Sequence, residues 1–199
     1  MRRSFLLLVC VFASFSAFAQ QNELSLTLGG TLTRSVKSTP ICEAIVTCPT
    51  TPVNFDITPA FSLAGSFARR FTDLKAVSLY AEFPITATPS RSGPGFAANN
   101  FSSIFFTPSI RAQLAPSARI SPFVTGGLGF ARYSGGGNAI TWAFQLGGGV
   151  DFKTPLPHLG VRVEARDFIT GRPTIFPLAN ITAGHLQQVH AGAGVVIKF

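Results

Sequence analysis

Charge is scarce in this chain. Of its 199 residues only 12% are Asp, Glu, Lys or Arg, against 46% hydrophobic, and the mean hydropathy is +0.36. Such proportions are odd for a water-soluble domain. Long apolar runs are missing too. Beyond the N-terminus none approaches the length of about 18 residues that a membrane-spanning helix requires. Lys and Arg never cluster beyond Arg69-Arg70 and no helical pattern carries them, so nucleic acid is excluded as a partner despite the formal charge of +8. Histidine is limited to three residues and cysteine to three, too few for a dense metal or disulfide framework.

What is present is Phe (20 residues) and Gly (19), with apolar side chains interleaved among polar ones. High apolarity without apolar runs predicts strands with one greasy and one polar face. A membrane barrel needs that pattern, because lipid-facing and lumen-facing residues alternate along each strand. At this length one domain is expected.

The first 19 residues read as a secretory signal peptide. Arg2 and Arg3 form the charged start, Phe5 to Phe15 the apolar stretch, and Ala17-Phe18-Ala19 a small-x-small cleavage site before Gln20. Leu7-Leu8-Val9-Cys10 is the alternative, a lipoprotein site. Val9 is too large for it and few apolar residues precede it. Removing residues 1–19 takes away Arg2 and Arg3 and lowers the formal charge from +8 to +6. Cys10 leaves with them. Cys42 and Cys48 remain in a Pro-flanked loop, where export makes a disulfide the expected state, with two free thiols as the alternative.

Apolar alternation then predicts eight strands in residues 20–199. They run from about Asn22 to Thr33, Val53 to Arg69, Val77 to Ile85, Phe101 to Leu114 and Ile120 to Tyr133. A sixth carries Trp142 to Phe152, a seventh Val161 to Arg166, and the last is the stretch His185 to Phe199. Short turns are expected around Phe71-Thr72-Asp73, Pro116-Ser117 and Thr154–Leu159, with a fifth-to-sixth loop at Ser134–Asn138. Connections one-to-two, three-to-four and seven-to-eight are long. Short periplasmic turns and long extracellular loops are the rule in outer-membrane barrels, so both termini are expected in the periplasm. Pro59, Pro84, Pro108 and Pro122 should mark bulges, strand ends or broken pairs, since proline gives the ladder no N–H.

The closing segment Val195-Val196-Ile197-Lys198-Phe199, with the leader and the eight strands, resembles the small outer-membrane β-barrels of Gram-negative bacteria, the OmpA/OmpX-like type. The resemblance implies an all-β, eight-stranded antiparallel up-and-down barrel. It also implies a C-terminal insertion signal (Val195, Ile197, Phe199) read by the barrel-insertion machinery. Outer-membrane lipid and lipopolysaccharide would be its surroundings. No peptidoglycan-binding domain follows, so the tethering role of two-domain relatives is not implied.

Asp56, Glu82, Arg111, Gln145, Asp151, Arg162, Glu164, Arg166, His190 and Lys198 are expected to point inward. A turn centred on Thr154–Leu159 sets Asp151 opposite Arg162, Phe152 opposite Val161 and Val150 opposite Val163. An eight-stranded barrel is only wide enough inside for side chains to fill, so these groups predict a salt-bridged plug, with a narrow ion or solute path as the alternative. No catalysis, cofactor or metal is expected. His185 and His190, five residues apart, fall on opposite faces of a strand, and His158 lies in a turn. Gly126-Gly127-Leu128-Gly129 and Gly147-Gly148-Gly149 precede no helix and so are not phosphate loops. The predicted role is structural or surface-interacting, through an extracellular ligand at the long loops. A lipid-modifying enzyme and a soluble secreted β-sandwich are the rivals.

Overall fold

Along β1 (Asn22–Thr33) the odd-numbered residues from Glu23 to Thr31 point to a closed interior, and Leu24, Leu26, Leu28 and Leu32 point out. The computed structural model describes residues 22–34, 36–40, 53–55, 59–91, 101–135, 137–171, 174–176, 181–182 and 185–199. The wall is completed by β4 (Ala60–Asp73), β5 (Val77–Arg91), the collinear pair β6 (Phe101–Phe106) and β7 (Ser109–Leu114), β8 (Ile120–Gly135), β9 (Gly137–Lys153), β10 (Leu159–Thr170) and β13 (Gln187–Lys198). Each wall strand pairs antiparallel with its sequence neighbours, and β1 pairs with β13 from Glu23–Lys198 to Thr33–Gln188. Reciprocal backbone bonds between Asn22 and Phe199, 3.0 and 2.9 Å, finish that seam. With β6 and β7 counted as one interrupted strand, this is a closed eight-stranded antiparallel barrel.

The distribution of polarity is the reverse of a soluble domain. Arg111 and Arg162 are 0% exposed while Leu128 and Ile140 are 67% and 72% exposed. Water would not tolerate that exterior, and a β-sandwich would bury Leu26, Phe61, Leu79, Phe144 and Val163 between sheets. The sandwich alternative is overturned.

Four short strands lie in the long connections at the end away from the termini. β2 (Val36–Pro40), β3 (Val53–Phe55), β11 (Thr174–Phe176) and β12 (Ile181–Thr182) form a separate sheet in the order β11-β12-β2-β3, and β11 lies against β8 and β9. The second wall strand therefore begins at Ala60 rather than Val53. Pro59 stands just before it, where the missing N–H costs nothing, and Val53–Phe55 pairs with β2 instead. The following turn lies at Leu74–Ala76, beyond Phe71-Thr72-Asp73. There Lys75 takes a left-handed conformation (φ 62°) and donates its backbone N–H to Asp73 Oδ1 at 3.1 Å. The fifth-to-sixth loop is also shorter than expected, since Ser134 and Asn138 are paired strand residues.

Proline breaks one seam. Pairing of β5 with the fourth wall strand stops after Glu82–Ser109 and resumes at Ile85–Phe106, the stretch that holds Pro84 and Pro108. Pro122 is a paired residue near the start of β8. Residues 1–19, Cys42, Cys48 and Asp56 lie outside the described residues.

Candidate functional site

The lumen is built by alternation alone. Residues two apart on one strand share the inner face, so Arg162, Glu164 and Arg166 of β10 line up on it. β9 and β13 flank them, with Arg162 opposite Asp151 and Arg166 opposite His190. Phe152 faces Val161 and Val150 faces Val163 on the outer side.

The layer nearest the termini turns on two carboxylates. Glu23 pairs with Arg111, with Lys198 Nζ at 3.0 Å and with Arg162 Nη2 at 3.4 Å. Asp151 takes a two-pronged contact from Arg162, Nε to Oδ1 at 2.7 Å and Nη2 to Oδ2 at 2.9 Å. Gln113 Nε2 adds a third bond to Asp151 at 3.0 Å. Phe123 sits between two guanidiniums, 4.7 Å from Arg162 and 5.4 Å from Arg111, and Tyr80 lies 4.3 Å from Arg111. Ring faces are electronegative, so these aromatics steady cations that water cannot reach.

The second layer centres on Glu82 and Glu164. Arg166 Nη2 reaches both, at 2.9 and 2.8 Å, and Arg162 Nη1 approaches Glu82 at 3.6 Å. Remaining carboxylate lone pairs accept from hydroxyls: Ser66 (3.0 Å), Thr125 (3.2 Å) and Ser109 (3.4 Å) on Glu82, and Thr27 (2.9 Å) on Glu164. Arg162 thus ties the two layers together.

Towards the loop end the charges give way to neutral pairs. Thr107 donates to Gln145 Oε1 at 2.5 Å, Ser62 Oγ meets His190 Nδ1 at 2.7 Å, and Thr31 meets Thr88 at 3.2 Å. Aromatics close this end. Phe105 stacks on Phe168 with centroids 4.4 Å apart and meets Tyr133 edge-on at 6.0 Å. Tyr133 Oη is 3.2 Å from Thr170 Oγ1, which in turn donates to Leu186 O.

Among the described inward residues the charges balance: Glu23, Glu82, Asp151 and Glu164 against Arg111, Arg162, Arg166 and Lys198. Seven of the eight are buried, with only Lys198 partly open at 26%. Removing one partner from such a set leaves an uncompensated buried charge, costing about 3–5 kcal/mol. A one-to-one balance is therefore what a sealed interior demands.

Of the residues expected inward, Glu82, Arg111, Gln145, Asp151, Arg162, Glu164, Arg166, His190 and Lys198 come together here. Val195 and Ile197 face outward with Phe199. Glu23 was missed, although it follows the same parity as Ser25 and Thr27 and stands opposite Lys198 once the barrel closes. Phe105, Phe123 and Phe168 line the lumen too: they share the parity of Ser103, Thr125 and Arg166, a signal that an apolar side chain masks.

The Ser62–His190 distance suits a nucleophile and base, but both side chains are fully buried. His185 is exposed at the loop end, its ring 6.3 Å from Trp142, and His158 lies in the turn after β9. Among the described residues no three His, Cys, Asp or Glu side chains gather as a metal ion would require.

A lipid-facing exterior, an eight-stranded closure and a polar filled lumen decide the architecture. This is the fold of the small outer-membrane β-barrels. Neisserial surface protein A superposes with a TM-score of 0.60 at 12% identity, over 91% of this chain and 99% of that one. OprG of Pseudomonas aeruginosa superposes with a TM-score of 0.52 at 10% identity, over 91% and 97%. No family model matches the chain, and no curated protein matches its sequence. The outer membrane enzyme PagL superposes with a TM-score of 0.45 at 13% identity, over 87% and 97%.

Proposed function

We propose that this protein is an outer-membrane barrel whose lumen is a structural plug and whose activity is presented at its loop end. It is exported by a signal peptide spanning residues 1–19 and inserted through Val195, Ile197 and Phe199 of the closing strand. Both termini face the periplasm, in keeping with the three short turns at that end. Lipid and lipopolysaccharide surround the wall, and the loop connections, with an oxidised Cys42–Cys48 bridge, meet an extracellular ligand. The role is one of binding or support, without catalysis.

One observation carries this reading: the inward charges are balanced four against four in two interlocked ionic layers, with an aromatic layer beyond them at the loop end. A conducting path needs mobile water beside its charges. Here the carboxylates are held by guanidiniums, by one ammonium and by hydroxyls, which favours a plug over a pore.

Planar-bilayer recording tests it directly. Purified protein should give no reproducible openings. Steady steps that vanish when Arg111 or Glu164 is neutralised would establish a pore instead. Incubation with lipid A or phospholipid should leave their masses unchanged; a mass change would reveal an enzyme.

A further inference from the structure

Arg132 points away from the lumen near the loop end of β8, between inward Ala131 and Tyr133, and is exposed. Ile104 of β6 and Ile140 of β9 stand opposite it on either side, both outward. At the same end Arg34 reaches Gln187 at 3.3 Å, whereas Arg132 has no ion pair or hydrogen bond to a described residue. Two residues towards the termini, Phe130 faces Trp142, both outward and about half exposed. Such aromatics mark the level of lipid head groups, and a charge on the outer wall costs little only near that level. Arg132 therefore stands among head groups.

The same face of β8 leads down to a hollow in the wall. Beside Pro108, where the ladder between β5 and the fourth wall strand is interrupted, a groove of about 490 Å³ is lined by Phe83, Pro108, Ile110, Gly126, Leu128 and Phe144. Gly126 lies on the outer face, and a Cβ there would meet nothing nearer than Gln145 O and Leu146 Cδ1 at 3.8 Å. Its missing side chain helps to leave the hollow open. Glu82 and Ser109 lie behind the groove, buried and bonded to each other at 3.4 Å, so the membrane meets an apolar surface. Gly126 is six residues from Arg132, about 20 Å along a strand, or about 15 Å in depth at the usual tilt of about 40°. That is half of a hydrocarbon core about 30 Å thick. The cation stands at the head groups of one leaflet and the groove at the ends of its acyl chains.

We propose that this strip of β8 binds lipid A, the phosphorylated acyl anchor of lipopolysaccharide. One phosphate sits on Arg132, and one acyl chain runs over Phe130 and Leu128 into the groove at Gly126. A guanidinium offers paired N–H groups that match two phosphate oxygens. The proposal rests on the reading above that the loop end faces outward, because lipid A is the phosphate-bearing lipid of the outer leaflet.

The test uses the full chain refolded in detergent micelles, with native mass spectrometry counting retained lipid. Lipid A, dephosphorylated lipid A and phosphatidylglycerol are the probes. One lipid A should be retained, at least tenfold more tightly than either of the others. Arg132→Gln and Gly126→Leu should each weaken retention at least tenfold, the first by removing the phosphate contact and the second by filling the groove. Gly30→Leu, on the outer face of β1 where a Cβ meets only Ala60 O at 3.7 Å, should leave it unchanged. Equal retention of the three lipids, or retention unaltered by Arg132→Gln or Gly126→Leu, would overturn the proposal. If Gly126→Leu loses the heat-modifiable migration of a folded barrel, lipid A with a photoreactive group at its chain ends decides on the unmodified protein. Crosslinks at Gly126, Leu128 or Phe144 support the site, and crosslinks spread evenly round the wall sink it. Orientation is read separately from a tag inserted after Gly95, in the connection between β5 and β6, on intact cells. An outside tag with no lipid A retention defeats this site alone, while an inside tag defeats the orientation and the site with it.

Discussion

Glu23 and Lys198 face each other across the seam that closes the barrel, with Nζ 3.0 Å from Oε1. One belongs to the first wall strand and the other to the last, so their ion pair forms only when the sheet has joined its own ends. Glu23 also receives Arg111 and Arg162. It is thus both a closure contact and the main anion of the terminal layer.

Glu23→Gln should therefore destabilise strongly, by about 3–5 kcal/mol, because two buried guanidiniums lose a charge partner. Lys198→Met should cost clearly less, since Lys198 is partly solvated and Glu23 keeps its two arginines. Urea unfolding in micelles, followed by tryptophan fluorescence from Trp142, measures both. Equal losses would contradict the hub role of Glu23.

Parity was legible because it depends on nothing but period two. Once Val161, Val163 and Ala165 are placed against lipid, Arg162, Glu164 and Arg166 must face inward, and a turn at Thr154–Leu159 fixes Asp151 opposite Arg162. Boundaries were less legible. Phe55 and Ile57 continue the alternation of Phe61 and Leu63, so pattern alone could not show that β3 pairs elsewhere and that Pro59 ends the wall. The inward phenylalanines escaped for a related reason. Phe105 and Phe168 share the parity of Ser103 and Arg166, so period two already turns them inward; their apolar character points to lipid instead, and the register stacks them together across the tube.

Those aromatics should matter for stability. Phe105 is 1% exposed and packs on both Phe168 and Tyr133. Phe105→Ala should cost about 3–5 kcal/mol through lost burial and the space left behind. Outward Phe130, about half exposed to the surroundings, should cost less when truncated in lipid vesicles. The same unfolding assay compares them, and a larger loss at Phe130 would mean that the loop-end closure contributes little.

The two faces of one strand should answer oppositely to charge. Val163 points out between Glu164 and Arg162, which point in. Val163→Arg should destabilise the barrel in bilayers by about 2–4 kcal/mol, the range for arginine on a lipid face near the midplane. It should be milder in detergent micelles, where the head group reaches water more easily. A tolerated Val163→Arg in bilayers would place this face away from lipid.

Gly129 is the most demanding small residue in the weakened part of the wall. A Cβ there would collide with the backbone oxygen of Phe106 and lie 2.8 Å from Thr107 Cα, so the neighbouring strand itself blocks it. Gly30, on the outer face of β1, would meet nothing nearer than Ala60 O at 3.7 Å. Gly129→Ala should therefore force β6 and β8 apart and cost about 1–3 kcal/mol, the range for overpacking a fitted site. Gly30→Ala should be neutral or slightly stabilising. The damage should also be local. Pro84 and Pro108 already interrupt the ladder beside Gly129, so amide exchange in Gly129→Ala should quicken first between Phe105 and Ser109, while β1 and β13 remain protected. Uniform quickening around the barrel would show that the seam shares the stability of the whole wall and that the prolines do not isolate it.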